Sequence, residues 1–341
     1  MSCIDVTFNV LLFEMTSFAN LKQLRVQKVV LIVSVLFLLF VVYSLVPHSR
    51  PAISFSEVVL SKNDSPEDAK PAAHLIILVL SVSTKSVTRN VIRKTWLSEE
   101  NPRIKHFFII GSKEISSSVL KDVLDESELH NDIMFLESIP ENYKSLSENV
   151  LAAFKKLHSS YKFNFVLKCD DDSFVQVPNL VEALTKQPQQ RLYWGFFKGG
   201  SHVFRQGKWK EPGWFLCDTY LPYALGGGYI LSYDLVEYLV SSSPLLQHYN
   251  SEDVSVGLWL SPLKINRVHD YRFDTEFKSR GCFNQYLITH KQSVDDMREK
   301  KNNLDSIGKL CETEVRVRYS YNYNWTVPVS KCCKTFDSNL P

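Results

Sequence analysis

The sequence predicts an α/β fold: a mostly parallel sheet covered by helices on both faces, set behind one N-terminal membrane span and a short stem. Three observations carry that reading. Apolar runs such as "HLIILVLSV" (His74 to Val82) are continuous rather than alternating, as in strands buried on both faces. Stretches of helical period separate those runs, the order that builds parallel sheets. An uncharged stretch near the start, "VVLIVSVLFLLFVVYSLV" (Val29 to Val46), is long enough at ~1.5 Å per residue to cross a bilayer core.

From the N-terminus, "MSCIDVTFNVLLFE" is moderately apolar but carries Asp5 and Glu14, and no structure is read there. Residues 29–46 are apolar on every face, unlike an amphipathic core helix. No A-x-A-like site follows before Pro47, so they read as an anchor rather than a cleaved leader. Lys22, Arg25 and Lys28 precede the span closely, while the far side mixes sparse bases with Glu57, Asp64, Glu67 and Asp68. The positive-inside rule then puts residues 1–28 in the cytosol and the bulk of the chain in a lumen. Residues 47–73 are rich in Ser, Pro and charge and read as a stem. Residues 74–341 form the expected globular domain.

Within that domain "SVTRNVIRKTW", "SSSVLKDVLDESEL" and "SLSENVLAAFKKLHSSY" have helical period; in the last, Leu146, Val150, Ala153 and Leu157 share a face. The intervening strands are His74–Val82, Ile104–Gly111, "DIMFLESI" and Phe163–Cys169. After Gln189 the alternation weakens and aromatics and glycines become dense, as in "LYWGFFKGG" and "YALGGGYILS". That change suggests a second half that handles a different ligand.

Hydrophobic residues make up 45% of the chain, so a folded core is expected. A net charge of +2, from 39 basic and 37 acidic residues, gives no reason to invoke nucleic acid. Six of the seven cysteines lie beyond the span; an even number in an oxidising lumen suggests disulfides, in any of 15 pairings. Asn63 and Asn324 head glycosylation sequons, the first weakened by Pro66.

The chemistry-bearing feature is "FVLKCDDDSFV" (Phe165 to Val175). Asp170, Asp171 and Asp172 stand just past the carboxyl end of the fourth strand, where open α/β sheets bind ligands. Clustered carboxylates suit a hard cation such as Mg²⁺, Mn²⁺ or Ca²⁺. The EF-hand spacing is absent, as is a P-loop. What remains is an ion that bridges the protein to a substrate diphosphate; the bland alternative is a solvated acidic loop.

The segments "RNVIRKTW" (Arg89 to Trp96), "FFIIGS", "KCDDDSF", "YLPYALGGGYILS" (Tyr220 to Ser232) and "SEDVSVG" (Ser251 to Gly257) follow in that order. Together they resemble the β-1,3-galactosyltransferase family of Golgi enzymes (glycosyltransferase family 31), from about His74 to Cys333. The C-terminal stretch, "RFDTEFKSRGCFNQYLITHKQS" through "YNYNWTVPVSKCC", is similar to the galactosyltransferase II branch, which adds the second galactose of the glycosaminoglycan–protein linker. The resemblance implies a GT-A fold, a UDP-galactose donor, Mn²⁺, inversion at the anomeric carbon, and a glycan acceptor on a proteoglycan core protein. It also implies a type II protein of the Golgi membrane.

Residue by residue, the resemblance makes Asp172 a metal ligand and Asp170 a contact to the donor's ribose or sugar. Asp171 is grouped with the donor site without a defined role. His290, in "ITHKQS", completes the metal site; by itself a lone His in a polar run is usually surface. "SEDVSVG" supplies the catalytic base, Asp253 ahead of Glu252, and the same residues also read as a helix start with Ser251 as N-cap. Arg89 and Arg93 share a helical face and match nucleotide-side basic positions; the other reading is plain surface solvation. Gly227 and Gly228, with Gly226, would let the backbone approach a sugar or diphosphate. Trp194, Trp209 and Trp214 are candidates for stacking on sugars, or for the core. UDP-GlcNAc or UDP-GalNAc as donor, and a non-catalytic glycan-binding protein, are the competing readings.

Overall fold

The structure, a computed structural model, describes residues 70–333 and the backbone of 336–337. The tail (1–28), the span (29–46) and nearly all of the stem lie outside the described residues. Among the described residues no helix is long and apolar enough to cross a membrane. They fall within one compact unit, Ala69–Pro341.

In chain order the first half is β1 (Ala72–Leu80), α1 (Ser86–Lys94), β2 (Ile104–Lys113), α2 (Ser117–His130), β3 (Ile133–Pro140), α3 (Leu146–Ser160) and β4 (Lys162–Asp170). The expected alternation is present strand for strand. β1 opens two residues before His74, pairing Ala72 with Lys162, so the strand reaches into the stretch read as stem. Then follow β5 (Phe174–Val175), α4 (Val177–Leu184), β6 (Leu192–Lys198), β7 (Tyr223–Ser232), α5 (Tyr233–Ser242) and α6 (Glu252–Leu260). The chain continues through β8 (Asn266–His269), β9 (Phe273–Asp274), β10 (Gly281–Cys282), β11 (Ile288–Thr289) and α7 (Val294–Ile307).

Seven strands form the main sheet in the order β3-β2-β1-β4-β7-β6-β8. β1 pairs in parallel with both β2 and β4, while β7 is antiparallel to β4 and β6. The fold is therefore mixed α/β with a mostly parallel sheet. β1 shows why its residues choose this place: Leu75 through Val79 have no exposed surface, so both faces of the strand are covered, as its unbroken apolar run requires. Each such side chain contributes about 1.5–3 kcal/mol by leaving water. On α3 the helical period places Val150, Ala153, Phe154 and Leu157 in the core.

Two features of this topology position the site. The chain leaves β1 toward β2 on one side and reaches β4 on the other, so the strand order reverses between β1 and β4. That switch point opens a crevice beyond the carboxyl ends of the strands, and Asp170–Asp172 stand there. Beside it β5, β11 and β9 form a small sheet in which Thr289 pairs with Phe174 and Asp274. This pairing carries His290, distant in sequence, to the aspartates.

Of the cysteines, Cys282 joins Cys311 and Cys332 joins Cys333, while Cys169 is buried and free and Cys217 exposed and free. The first bridge ties β10 to the chain beyond α7. Trp194 and Trp214 belong to the core, their indole N–H groups donating to Asp270 Oδ2 at 3.0 Å and the Cys217 carbonyl at 2.8 Å. Trp209 remains half-exposed, between the rings of Phe204 and Phe277.

Candidate active site

β4 delivers three adjacent carboxylates, and the structure sends them to different partners. Asp171 N–H donates to the Leu80 carbonyl, and its carboxylate takes Lys85 Nζ at 2.6 Å and Ser81 Oγ at 2.9 Å. It is buried and holds the β1–α1 loop to β4, which gives it the structural role that its grouping with the donor site left undefined. Burial raises its pKa, against Lys85 and Ser81.

Asp170 and Asp172 converge instead on His290. His290 Nε2 lies 2.9 Å from Asp172 Oδ1 and 3.4 Å from Asp170 Oδ2. One ligand atom from each residue falls within 4.8 Å of the others. Despite that closeness, Asp172 Oδ1 and His290 Nε2 are buried without a hydrogen bond of proper direction to any group. Ligand atoms this close, two of them buried and without a hydrogen bond, fit a cation held between them, and two carboxylates with one imidazole suit a borderline-hard divalent ion. Burial would lower the imidazole pKa, but the two carboxylates outweigh it and raise it to about 9. Asp172 is lowered, burial being outweighed by His290 and Lys291, whose Nζ lies 2.8 Å from Oδ2.

The glycines serve this geometry. A Cβ on Gly227 would sit 2.6 Å from His290 Cγ, and one on Gly228 would sit 2.8 Å from Ile288 Cδ1. Both residues are buried. They make room for the imidazole and its flanking strand. The ladder between β4 and β7 ends at Cys169 opposite Gly228, and the β6–β7 ladder is irregular between Gly195 and Phe197. Gly226 and Gly227 lie in that gap, and side chains hold their carbonyls: Lys168 Nζ donates to Gly226 at 2.8 Å and Ser173 Oγ to Gly227 at 2.6 Å.

α6 brings Glu252 and Asp253 to the other side of Gly226. Asp253 is part-exposed, its Oδ2 accepting the Gly226 N–H at 3.0 Å and its Oδ1 the Val254 N–H at 2.9 Å. Burial raises its pKa, against Lys168 and those amides. Glu252 is buried, with Oε2 2.8 Å from Lys168 Nζ and Oε1 taking the Tyr229 hydroxyl. Burial pushes it up to about 7, against Lys168. Both acids stand in the first turn of α6, where the helix dipole favours them. Ser251 occupies the N-cap position without capping through its hydroxyl; its backbone N–H donates to Glu211 at 3.1 Å.

Arg89 and Arg93 do share a face of α1, and both are engaged by internal partners. Arg89 is fully buried, its guanidinium taken up by Glu126, Ser81 Oγ and the carbonyls of Val82 and Ser83. Arg93 binds Asp132 through Nε and Nη2 and Glu126 through Nη1. Both the nucleotide-side and the solvated-surface expectations are corrected: the pair forms an internal ion-pair network that clamps the β1–α1 loop. Lys168, Ser173, Tyr229 and Lys291 were missed. A lone lysine inside an apolar strand run was the signal for the first. Size alone does not mark the site, since a cavity of about 950 Å³ lined by Trp96, Phe174, Gln176, Val181 and Leu304 excludes the Asp170–Asp172–His290 triad.

The family profile described as Galactosyltransferase matches residues 87–271, from α1 through β8 and hence both the aspartates and α6. The chain belongs to the galactosyltransferase family. It is 45% identical over 269 residues to mouse (Mus musculus) beta-1,3-galactosyltransferase 6, covering 77% of this chain and 83% of that protein. It is 30% identical over 194 residues to the Xenopus tropicalis UDP-GalNAc:beta-1,3-N-acetylgalactosaminyltransferase 2, covering 56% of this chain and 39% of that one. Among solved structures, the mannosyltransferase PcManGT from Pyrobaculum calidifontis, in complex with GDP-Man and Mn²⁺, is similar over 61% of this chain and 58% of its own. That likeness, with a TM-score of 0.36 at 11% identity, is too weak to place the fold. Membership and the 45% relative make this galactosyltransferase-family chain an enzyme.

Proposed function

We propose that this enzyme is an inverting, UDP-galactose-dependent β-1,3-galactosyltransferase of GT-A type that acts on the Galβ1-4Xyl acceptor of the glycosaminoglycan–protein linker. Its place would be the Golgi membrane, with residues 29–46 as anchor and the domain in the lumen. The observation that carries the reading is the convergence of Asp170, Asp172 and His290 on one point, across the Gly226–Gly227 backbone from a part-exposed carboxylate, Asp253. The mouse relative supports the sugar and linkage by its name, and the C-terminal resemblance supports the acceptor.

In this reading Asp170, Asp172 and His290 would hold Mn²⁺, which when bound supplies Lewis-acid stabilisation to the departing diphosphate. Asp253 takes the proton from the acceptor hydroxyl as that oxygen attacks the anomeric carbon. Two backbone amides fix its carboxylate, and its raised pKa makes it a better proton acceptor. Glu252 is the poorer candidate for that task, because it is buried and its carboxylate is ion-paired with Lys168, whereas Asp253 is part-exposed. Orientation of donor and acceptor on either side of Gly226–Gly227 supplies much of the rate.

UDP-GalNAc is the competing donor, because a 30% relative carries it in its name. The purified full-length protein, given UDP-galactose, UDP-GlcNAc and UDP-GalNAc with a Galβ1-4Xyl acceptor, is expected to use UDP-galactose and to need Mn²⁺. Transfer only from an N-acetylated donor would overturn the proposal.

A further inference from the structure

Lys168 is a full positive charge inside the central sheet, its side chain only 2% exposed. On β4 the two-residue period puts it on the same face as Asp170. Its Nζ lies 2.9 Å from Asp170 Oδ1, 2.8 Å from Glu252 Oε2 and 2.8 Å from the Gly226 carbonyl. Two of these contacts are hydrogen bonds and the one to Glu252 is an ion pair, and an ammonium has three N–H donors to serve such a set. The partners belong to three separate elements: β4 with the metal-side aspartates, α6 with the base, and the glycine stretch of β7 between them.

Each partner reaches the chemistry by one further bond. Asp170 is one of the two carboxylates that converge with His290. Glu252 precedes Asp253 on α6, and Tyr229 from β7 secures its other oxygen. Gly226 gives its N–H to Asp253 while its carbonyl goes to Lys168. Because Gly226 lies beyond the last β4–β7 ladder pair, no strand pairing with β4 holds that carbonyl. An ion pair serving stability alone needs one acid; this cation gathers two acids and a carbonyl around the gap between triad and base.

Resting on the function proposed above, we propose that Lys168 is a positioning residue, a three-way bracket that sets the separation and orientation of the Asp170–Asp172–His290 triad and Asp253. Lys168 touches neither donor nor acceptor in this account. It should therefore govern the rate of the chemical step far more than the binding of either substrate.

The test uses the full chain carrying Lys168→Met, close in length but without charge. Transfer kinetics are measured against UDP-galactose and against the Galβ1-4Xyl acceptor, with Mn²⁺ saturating, and melting temperature in parallel. Displacing a catalytic group by about an ångström costs on the order of a hundredfold, so kcat should fall about that much while both KM values stay within about threefold. Lys168→Met leaves the buried Glu252 and the part-exposed Asp170 without their cation, and that destabilises. The double variant Lys168→Met/Glu252→Gln removes one of those charges. It should regain melting temperature without regaining kcat.

A kcat within about twofold of the unaltered enzyme, or a rise in both KM values at unchanged kcat, would overturn the proposal. Recovery of kcat together with melting temperature in the double variant would also overturn it, leaving Lys168 a structural ion pair. If the unaltered enzyme transfers no galactose at all, the function proposed above fails first; an unaltered enzyme that transfers beside an equally active variant refutes only the role of Lys168.

Discussion

Gly227 and His290 occupy one space: a Cβ on Gly227 would lie 2.6 Å from Cγ of the imidazole and 2.7 Å from Nδ1. Gly227 is not among the residues with positive φ, so its backbone would accept alanine. The contact is what forbids it, because Cβ atoms do not approach a ring so closely. Gly227→Ala is expected to displace the imidazole from Asp170 and Asp172 while the sheet still folds. Disturbing what orients a ligand typically costs 10–100-fold in metal affinity. The half-saturating Mn²⁺ concentration for transfer should rise by about that factor, and an unchanged Mn²⁺ curve would count against the triad.

Asp253→Asn should lower kcat by about a thousandfold, within the range that general-base catalysis contributes. Donor KM should change little. Glu252→Gln keeps most contacts of a buried strut and should lower kcat less than about tenfold. Steady-state kinetics on both variants rank the two acids; a larger kcat loss in Glu252→Gln at equal stability would reverse their roles.

Metal binding should release a proton. His290 holds one up to about pH 9 in the metal-free protein, burial being outweighed by Asp170 and Asp172, and a ligating imidazole must be neutral. Apparent Mn²⁺ affinity should therefore climb by about tenfold per pH unit below that value, with one proton released at neutral pH. Calorimetry in two buffers of different ionisation enthalpy reads the proton count. His290→Ala should abolish both the release and the Mn²⁺-induced rise in melting temperature.

Glu252 predicts a slope in stability. Burial moves its pKa from the ordinary 4.5 up to about 7, against Lys168. Between those values the folded protein keeps a proton that the unfolded chain has released, so this group's contribution is full below about pH 4.5 and lost as pH rises through about 7. Urea midpoints measured across that window should fall with pH for this contribution. Glu252→Gln should show a visibly flatter profile, and an identical profile would contradict the assigned burial.

The alternation from His74 to Cys169 was legible because strands buried on both faces leave unbroken apolar runs, and β1 to β4 stand where those runs do. Asp172, His290 and Asp253 were reachable through ordered motifs, and the fold places them around Gly226–Gly227. Arg89 and Arg93 were misread for a physical reason: helical spacing reports a shared face, not what that face meets, and here it meets Glu126 and Asp132. At Gly227 and Gly228 the space a side chain would take is filled by His290 and Ile288, from a segment that no local pattern links to the glycines. Lys168 was invisible as a bracket because Asp170, Gly226 and Glu252 come together only through β4–β7 pairing and the packing of α6.

The most direct test is the product itself. NMR of the material formed by the full-length enzyme from UDP-galactose and a Galβ1-4Xyl acceptor, with and without Mn²⁺, reports donor, linkage and anomeric outcome at once. A single β-linked galactose on O3 of the acceptor galactose is expected, formed only when Mn²⁺ is present. An α-linked product, attachment at another hydroxyl, or equal yield in the presence of a chelator would contradict it.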